Sequence, residues 1–423
     1  MNGLHVLVVG SGGREHALAW ALARSRSVEA VDAAPGNPGT ARHGRRFPVP
    51  AADADALAAL VAREGHDLVV IGPEAPLAAG VADRLRERDI AVFGPGAEGT
   101  RMESSKAFAK SFMEKHKIPT AGYRVVRTMV EAEEILERWG APVVVKASGL
   151  AAGKGVTVAE TLPAARRALE DCLRGGHGEA GRTVVLERMM VGEEVSVFVI
   201  TDGERYKMLP VSQDHKRAFD GDRGPNTGGM GAYSPAPMFT DALRGQTERE
   251  IIRPALQGLR AEGIDFRGLL YAGLMLTPRG PRVVEFNARF GDPETQAVLP
   301  RLRVDWGELL FEAARGELDE EPLPEPERAA SVCVVAATRD YPESSESGLA
   351  IRGVAEAEAT GALVFHAGTE TGDGGLVTAG GRVLGVTATA DSLREAVSGA
   401  YAALDHIDFD GMRFRRDIAY RVL

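Results

Sequence analysis

The sequence predicts an α/β protein in three parts: an N-terminal domain with a doubly wound parallel sheet, a two-lobed core, and a small C-terminal α+β domain. The length of 423 residues fits about three domains of ordinary size. In the first part, short apolar runs alternate with helical patterns, which is typical of parallel strands covered on both faces. Late in the chain, residues 318–328 are rich in Pro and Glu, as linkers often are.

The N-terminal domain is predicted to cover residues 1–103. Its expected strands are residues 4–9, 28–33, 68–71 and 90–93, and its expected helices are residues 17–24 and 53–63. Ligands of open parallel sheets bind beyond the carboxyl ends of the strands. We therefore expect a site in the loops that follow these strands.

The core is predicted to cover residues 104–317, with a smaller lobe at about residues 121–193. Its expected helices are residues 105–115, 130–139, 163–173 and 249–262, and its expected strands are residues 143–146, 183–187, 194–200, 269–276 and 282–287. Residues 212–233 are polar and glycine-rich, which predicts binding loops. Beyond the linker at residues 318–328, the C-terminal domain at residues 329–423 has short strands, a last helix at 392–404 and no evident chemistry.

Composition and charge exclude several classes of function. The net charge of -10 argues against a general nucleic-acid binder, although a local basic pocket could still hold a small anion. No apolar run approaches the ~18–20 residues of a membrane-spanning helix, and the N-terminus lacks the pattern of a secretory leader. Cys172 and Cys333 stand far apart in apolar stretches, which favours two buried thiols in a reducing compartment. We expect a cytoplasmic protein that binds neither nucleic acid nor membrane.

The loop after the first strand is a candidate anion site. It contains Gly10, Gly12 and Gly13, and Arg14 and Glu15 follow. Glycines let the backbone turn with positive φ, and the free N–H groups of a helix N-terminus attract anions. Glu15 occupies the place of the third glycine of a dinucleotide fingerprint, which disfavours a hydride-transfer enzyme. A phosphate site and a merely tight turn both remain open.

A second glycine-rich loop begins at Lys146, at the end of an apolar strand. Gly149, Gly153, Lys154 and Gly155 follow, and such a loop between two strands suits a flap over a polyphosphate. The spacing is not that of a P-loop. Lys146 is expected to face an anionic ligand or an acid, because an unpaired buried ammonium is costly. Lys154 is either a phosphate ligand or a solvated surface lysine.

A third candidate site lies on the predicted strand at residues 282–287. Residues two apart on a strand share a face, so Glu285, Asn287 and Arg289 are expected to project together. A carboxylate beside an amide oxygen suits Mg²⁺ or Mn²⁺, and Arg289 adds a planar fork for a carboxylate or phosphate. A half-exposed edge strand could show the same alternation. The Gly-Asp-Pro-Glu that follows is unusual for such a strand, which favours the metal site.

Two further groups of polar residues are candidates for ligand binding. Asp214 and Lys216 lie in the predicted binding loops and could orient a substrate. Glu187 ends its strand and is followed closely by Glu193. A short connection of this kind, carrying acids, can hold a nucleotide between two lobes.

In order and composition, these segments resemble the phosphoribosylamine–glycine ligases of the ATP-grasp superfamily. The resemblance spans essentially the whole chain. It rests on residues 8–20, 34–40, 72–77, 93–95, 149–155, 213–217, 224–235, 285–294 and 366–369. It implies an ATP-grasp fold for the two-lobed core.

The resemblance also implies a reaction. In de novo purine biosynthesis, glycine would be ligated to 5-phosphoribosylamine through glycyl phosphate, giving glycinamide ribonucleotide, ADP and phosphate. The cofactors would be ATP and Mg²⁺ or Mn²⁺, and we expect a monomer. Two other hypotheses stay open. One is another ATP-grasp carboxylate–amine ligase, such as a carboxyaminoimidazole-forming enzyme; the other is a non-catalytic nucleotide-binding protein of the same fold.

The resemblance assigns roles to individual residues. The nucleotide would be bound by Lys106, Lys146, Gly153, Lys154, Gly155, Glu187 and Glu193, and the metal by Glu285 and Asn287. Catalysis would fall to Lys146, Arg289, Asp292, Asp214 and Lys216. The remaining substrate-binding residues would be Gly10, Gly12, Gly13, Arg14, Glu15, Asn226, Thr227, Gly228 and Gly229.

The chain departs from the family pattern in two places. Ser148 stands where the family usually has Asp, and Ala288 stands where it often has Cys. Many ATP-grasp enzymes also draw a metal-binding acid from the preceding strand, but residues 270–276 contain none. The set of metal ligands from the protein is therefore predicted to be sparse, with ATP oxygens and water completing it.

Overall fold

The N-terminal part of the chain forms a four-stranded parallel sheet with strand order β2-β1-β3-β4. The computed structural model describes residues 3–150, 155–176 and 178–423. The strands are β1 (Leu4–Gly10), β2 (Val28–Pro35), β3 (Leu68–Ile71) and β4 (Ala91–Phe93). The helices are α1 (Gly13–Leu22), α2 (Ala54–Glu64), α3 (Glu74–Ala78), α4 (Val81–Arg86) and α5 (Ala97–Ser104).

Alternation along β1 gives this sheet two buried faces. Val6 and Val8 pack into one hydrophobic cluster, while Leu7 and Val9 pack into another with helices α2 and α4. Helix α1 contributes to the first cluster. The predicted doubly wound domain is confirmed.

The small lobe is an antiparallel sheet with order β5-β8-β6-β7. Its strands are β5 (Tyr123–Val126), β6 (Val143–Ala147), β7 (Val156–Ala159) and β8 (Val184–Arg188). Helices α7 (Met129–Trp139) and α8 (Leu162–Asp171) pack into the hydrophobic cluster of this lobe, whereas α6 (Lys106–Lys115) packs with the large lobe. A short π-helix at Cys172–Gly176 and a short 3-10 helix at Gly178–Arg182 precede β8.

The large lobe is built on a second antiparallel sheet, with order β10-β9-β15-β16. The strands of this region are β9 (Glu193–Thr201), β10 (Tyr206–Met208), β11 (Gln213–Asp214), β12 (Arg217–Phe219), β13 (Arg223–Asn226), β14 (Gly231–Ser234), β15 (Gly268–Thr277) and β16 (Gly280–Asn287). Its helices are α9 (Asp241–Thr247), α10 (Arg253–Ala261), α11 (Glu294–Val298) and α12 (Trp306–Arg315). The region between the two lobes is called the cleft below.

The C-terminal domain shares a sheet with the core. Its strands are β17 (Ala330–Ala337), β18 (Leu363–His366), β19 (Thr369–Gly372), β20 (Gly375–Thr378) and β21 (Arg382–Ala390), and its helices are α13 (Val354–Ala359) and α14 (Leu393–Leu404). The sheet has order β11-β14-β17-β21-β18, so β11 and β14 of the core extend it. This sheet brings residues of the C-terminal domain close to the loops of the core.

Several local predictions were wrong. Helix α1 starts four residues before the predicted Ala17, because the Glu15 carboxylate caps its glycine-rich first turn by accepting from the N–H of Gly12 at 2.6 Å. The predicted loops at residues 212–233 contain the short strands β11 to β14. The helix predicted at residues 249–262 is the end of a longer one, since α9, a π-turn at Glu248–Ile252 and α10 follow one another directly.

Helix α12, which the sequence did not predict, covers the N-terminal sheet. Its Trp306 and Leu310 join the same cluster as Val6 and Val8. Within the described residues, no helix is both long and apolar enough to cross a membrane. Cys172 and Cys333 are free and buried, as predicted.

The C-terminal domain also contacts the N-terminal loops. The backbone N–H of His366 donates to Nδ1 of His16 at 2.8 Å, and the amide of Asn37 donates to the carbonyl of His366 at 2.8 Å. These bonds fix helix α1 and the loop after β2 against the C-terminal domain.

Candidate active site

A cluster of buried charges lies between the two lobes. Glu187 at the end of β8 forms ion pairs with two lysines, Lys146 at 2.9 Å and Lys110 at 3.1 Å. Lys146 also donates to the carbonyl of Val284 at 3.1 Å. With Glu285, these residues are called the cleft cluster below: Lys110, Lys146, Glu187 and Glu285. Lys146 therefore faces an acid. An acid or an anionic ligand was expected there, because an unpaired buried ammonium is costly.

Glu285 is ionised within this cluster. Burial raises the pKa of its carboxyl, but the charges of Lys216, Lys106 and Lys146 outweigh that effect and hold the pKa below its usual value. Asn287 lies two residues after Glu285, and both residues are at the end of β16. Together they offer a hard anionic and a hard neutral oxygen, which fits Mg²⁺ or Mn²⁺.

The protein supplies few other ligands for such an ion. Among the residues that the structure describes, no three His, Cys, Asp or Glu side chains converge on one point. A cation bound by Glu285 and Asn287 would therefore take its other ligands from water or from a bound phosphate.

Lys106 is held at the entrance to α6 by the loop that follows β6. The backbone N–H of Lys106 donates to the carbonyl of Ser148 at 2.8 Å. The hydroxyl of Ser148 accepts from the N–H of Ala107 at 3.0 Å. Ser148 thus accepts from two free N–H groups in the first turn of α6, whose N-cap is Ser105, and an Asp at position 148 could accept the same bonds. Further along the same loop, the carbonyl of Gly155 accepts from the N–H of Ala147 at 2.8 Å. Gly153 and Lys154, which were predicted to bind the nucleotide, lie outside the residues that the structure describes.

Arg289 is the centre of a second cluster. Its guanidinium contacts Glu74 at 3.2 Å and Glu103 at 2.8 Å. Burial raises the pKa of Glu74, but Arg289 and Arg14 outweigh it and hold that pKa at about 2. Burial raises the pKa of Glu103 above its usual value, in spite of Arg289. The Arg289 guanidinium, which was predicted to bind a carboxylate or phosphate of a ligand, thus pairs with two carboxylates of the protein in this structure.

Asp292 lies beside this group. Its carboxylate contacts the guanidinium of Arg382 at 3.2 Å and accepts from Gln296 at 2.7 Å. Burial raises the pKa of Asp292, but Arg382 and Arg14 outweigh it and the pKa falls below its usual value. The arginine cluster, as used below, consists of Glu74, Glu103, Arg289, Asp292 and Arg382.

The glycine loop after β1 packs against the arginine cluster. Arg14 donates to the carbonyl of Phe290 at 3.0 Å and pairs with Glu15 at 2.5 Å. A Cβ built on Gly12 would lie 3.5 Å from Oδ2 of Asp292, so the loop and the carboxylate are neighbours. Because the N–H of Gly12 already donates to the carboxylate of Glu15, an anion at this loop would have to bind through other groups of the loop.

Asp214 is buried and Lys216 is partly buried, two residues apart near the start of the loops that follow β10. Lys216 pairs with Glu194, the residue after the predicted Glu193, and the carboxylates of Glu194 and Asp214 outweigh burial and raise the pKa of Lys216. Burial raises the pKa of Asp214 above its ordinary value. Glu193 itself is half exposed, and its carboxylate accepts from Gln213 at 3.2 Å.

The loop from Asn226 to Gly229 lies between β13 and β14 of the core and contacts the C-terminal domain. Thr227 donates to the carbonyl of Lys216 at 2.9 Å, and the N–H of Gly229 donates to Thr227 at 3.0 Å. Asn226 ends β13. The loop therefore lies between Lys216 and Arg382, whose guanidinium donates to the carbonyl of Gly228 at 2.8 Å.

Sequence reasoning missed several members of these clusters. Lys110 had a signal, because it lies four residues after Lys106 on the same helix face. Glu74 lies inside one of the segments that carried the resemblance. Glu103 and Arg382 had no local signal, and the C-terminal region was expected to carry no chemistry.

Comparison with known proteins decides the family. Sequence models of phosphoribosylglycinamide synthetase match the N domain at residues 4–103, the ATP-grasp (A) domain at residues 104–295 and the C domain at residues 331–421. The chain belongs to the phosphoribosylglycinamide synthetase family. The predicted resemblance and the predicted ATP-grasp core are confirmed.

Individual members of the phosphoribosylglycinamide synthetase family are similar over their whole length. A phosphoribosylamine–glycine ligase of Ralstonia nicotianae is 48% identical, and the alignment covers 99% of this chain and 100% of that one. The crystal structure of phosphoribosylamine–glycine ligase from Thermotoga maritima superposes with a TM-score of 0.84 at 36% identity, covering 98% of this chain and 100% of that chain.

The fold extends beyond the family. The biotin carboxylase domain of the 2-oxoglutarate carboxylase of Hydrogenobacter thermophilus, solved with MgADP and bicarbonate, superposes with a TM-score of 0.73 at 17% identity. It covers 98% of this chain, and this chain covers 92% of it. At that identity the likeness shows the fold alone.

Proposed function

We propose that the chain ligates glycine to 5-phosphoribosylamine at the expense of ATP, giving glycinamide ribonucleotide, ADP and phosphate in purine biosynthesis. The observation that carries this proposal is the pair of clusters at one cleft, in a chain whose relatives are named phosphoribosylamine–glycine ligases. The cleft cluster offers lysines for phosphates. The arginine cluster offers charges for a small zwitterionic acid and an amine.

The nucleotide would lie between the lobes. Lys106 and Lys146 would neutralise its phosphate oxygens, since phosphoryl transfer depends on positioning and charge more than on covalent help. Glu187 and Glu193 would contact adenine and ribose. Glu187 is held in place by Lys110 and Lys146 before any ligand binds.

A divalent cation would be held by Glu285 and Asn287. When bound, Mg²⁺ or Mn²⁺ would neutralise charge on the transferring phosphoryl group. The residues fit this role because Glu285 is ionised and oxygen donors suit a hard cation.

Glycine would react near Arg289 and Asp292. A carboxylate oxygen of glycine attacks the γ-phosphorus of ATP, the bond to the β,γ-bridging oxygen breaks, and glycyl phosphate and ADP form. Arg289 would face the carboxylate or acyl phosphate, exchanging part of its contact with Glu74 or Glu103. The carboxylate of Asp292 would hold the ammonium group of glycine.

The amine would then attack the acyl phosphate. Phosphoribosylamine forms the amide bond through its nitrogen, phosphate leaves with one oxygen of glycine, and a proton is released. A neutral amine is already nucleophilic, which agrees with the lack of a nucleophile–base pair in the sequence. Gly10 to Glu15 would lie near the phosphoribosyl end, and Asp214, Lys216 and the loop at Asn226 to Gly229 near its sugar.

The proposal is tested by ADP release with each substrate omitted in turn. Full release should require ATP, glycine and phosphoribosylamine together, and a panel replacing glycine with bicarbonate or other amino acids should give little. The variant Glu285→Gln, purified identically, controls for contaminating ATPases. Undiminished ADP release without glycine would refute the proposal.

A further inference from the structure

Arg382 is the first residue of β21 and reaches out of the C-terminal domain into the arginine cluster. Its side chain is 20% exposed and that of Asp292 is 15% exposed, so their contact is largely shielded from water. The start of the strand is fixed, since the carbonyl of Arg382 accepts from the N–H of Gly368 at 2.8 Å. The guanidinium therefore projects from a rigid base.

The guanidinium of Arg382 joins two separate loops of the core. Nη1 donates to the carbonyl of Asp292 at 2.6 Å and to that of Gly228 at 2.8 Å, with Gly229 more distant at 3.4 Å. Nη2 lies 3.2 Å from Oδ2 of Asp292. One planar group thus holds both the backbone and the carboxylate of Asp292, which a lysine could not do.

The fit around Gly228 supports this role. A Cβ on Gly228 would lie 3.0 Å from Cζ of Arg382, so the loop passes as close to the guanidinium as glycine allows. The N–H of Gly228 donates to the hydroxyl of Tyr341, also in the C-terminal domain, at 2.9 Å. Both backbone groups of Gly228 are therefore bonded to that domain.

We propose that Arg382 is a positioning residue through which the C-terminal domain aligns Asp292 and the Gly228–Gly229 loop for the acid and amine substrates. This inference rests on the proposed function. Oδ1 of Asp292 is bonded to Gln296 and Oδ2 to Arg382, so the carboxylate has one orientation, beside the glycine loop at Gly12. A misplacement of about 1 Å in such a group can cost on the order of 10²-fold in rate.

The proposal makes a selective prediction for kinetics. Arg382 has no hydrogen bond or ion pair with the cleft cluster in the described part of the chain, so the KM for ATP should not depend on it. Arg382→Gln should raise the KM for glycine at least tenfold and lower kcat. It should change the KM for ATP less than twofold. Arg382→Lys should restore only part of the loss, because one ammonium cannot span both loops.

The experiment measures kcat and all three KM values for the wild type, Arg382→Gln, Arg382→Lys and the control Arg339→Gln. Arg339 lies in the same domain, is 63% exposed and pairs with Asp410 at 3.2 Å. A raised KM for glycine with an unchanged KM for ATP supports the proposal. Wild-type parameters in Arg382→Gln, or equal changes in the KM for ATP and for glycine, overturn it.

Folding is followed by thermal melting. If Arg382→Gln lacks a cooperative transition, Arg382→Lys is judged by the same criteria, and wild-type parameters in that variant overturn the proposal. A wild type whose ADP release does not depend on glycine contradicts the proposed function instead, which separates the two failures.

Discussion

The cleft cluster and the arginine cluster differ in how far apart in sequence their members lie. The cleft cluster comes from the ATP-grasp domain alone, and its ion pairs join strands and helices of that domain. In the arginine cluster, Glu74 and Glu103 come from the N domain, Arg289 and Asp292 from the ATP-grasp domain, and Arg382 from the C domain. The cluster proposed to bind the nucleotide is therefore local to one domain, whereas the cluster proposed to bind the acid and the amine depends on how three domains pack together.

The largest expected effect is in the cleft cluster. Glu285→Gln removes the only carboxylate proposed to hold the metal and leaves three lysines facing a neutral group. We expect kcat/KM to fall by about 10³-fold or more, because charge neutralisation at the phosphoryl group is lost. Steady-state assays over a range of Mg²⁺ concentrations measure this.

Glu356→Gln is the control for that variant, since Glu356 is an exposed acid of the C-terminal domain. Wild-type rates in Glu285→Gln at limiting Mg²⁺ would show that the metal assignment is wrong. The cleft cluster would then be a structural salt-bridge network.

The next effect is in the arginine cluster. Arg289→Lys keeps the charge but cannot bridge Glu74 and Glu103 with a planar fork. We expect kcat/KM for glycine to fall by about 10²-fold, with a smaller change in the KM for ATP. Arg303→Lys, at a side chain that is 79% exposed, is the matched control. Equal losses for ATP and glycine would contradict the separation of the two clusters.

Much of the cleft cluster could be predicted from the sequence, because strands place alternate residues on one face. That rule put Glu285 on one face with Asn287 and with Arg289 of the arginine cluster. Lys146, at the end of a buried strand, was predicted to face an anionic ligand or an acid. The fold of the N-terminal domain followed from alternating strands and helices. The short elements α3, α4 and β5 were missed because they are too short to show a period.

The arginine cluster could be predicted only in part. Arg289 and Glu74 lie 215 positions apart, and no local pattern indicates that they meet. Arg382 follows two glycines in a region of short strands, where nothing marks it as part of a site. Such contacts depend on the docking of whole domains, which one sequence does not reveal.

A smaller effect concerns the pH dependence of stability. The pKa of Glu74 is held at about 2, below that of an unfolded Glu, so its ionisation stabilises the folded state above about pH 5. That contribution, about 3 kcal/mol, should decline as the pH falls from about 4.5 to 2. Urea unfolding of the wild type and Glu74→Gln between pH 3 and 7 measures it. A stability difference that stays constant over this range would contradict the Arg289–Glu74 pairing.

The smallest effect is at the entrance to α6. Ser148→Ala removes the acceptor for the N–H of Ala107 and should lower the free energy of unfolding by about 1 kcal/mol. Ser148→Asp should keep that acceptor, and we expect its kcat to stay within about threefold of the wild type. Chemical denaturation and steady-state rates measure the two variants. A large loss of activity in Ser148→Asp would mean that this position does more than accept from N–H groups of the helix.

The central claim is that glycine is activated by transfer of the γ-phosphoryl group of ATP before the amine attacks. The most direct test uses glycine labelled with ¹⁸O in its carboxylate and measures the isotope in the released phosphate by mass spectrometry. Because the carboxylate oxygen that attacks phosphorus leaves with it, the account predicts one ¹⁸O atom per phosphate. Phosphate without ¹⁸O, released in step with amide formation, would contradict it.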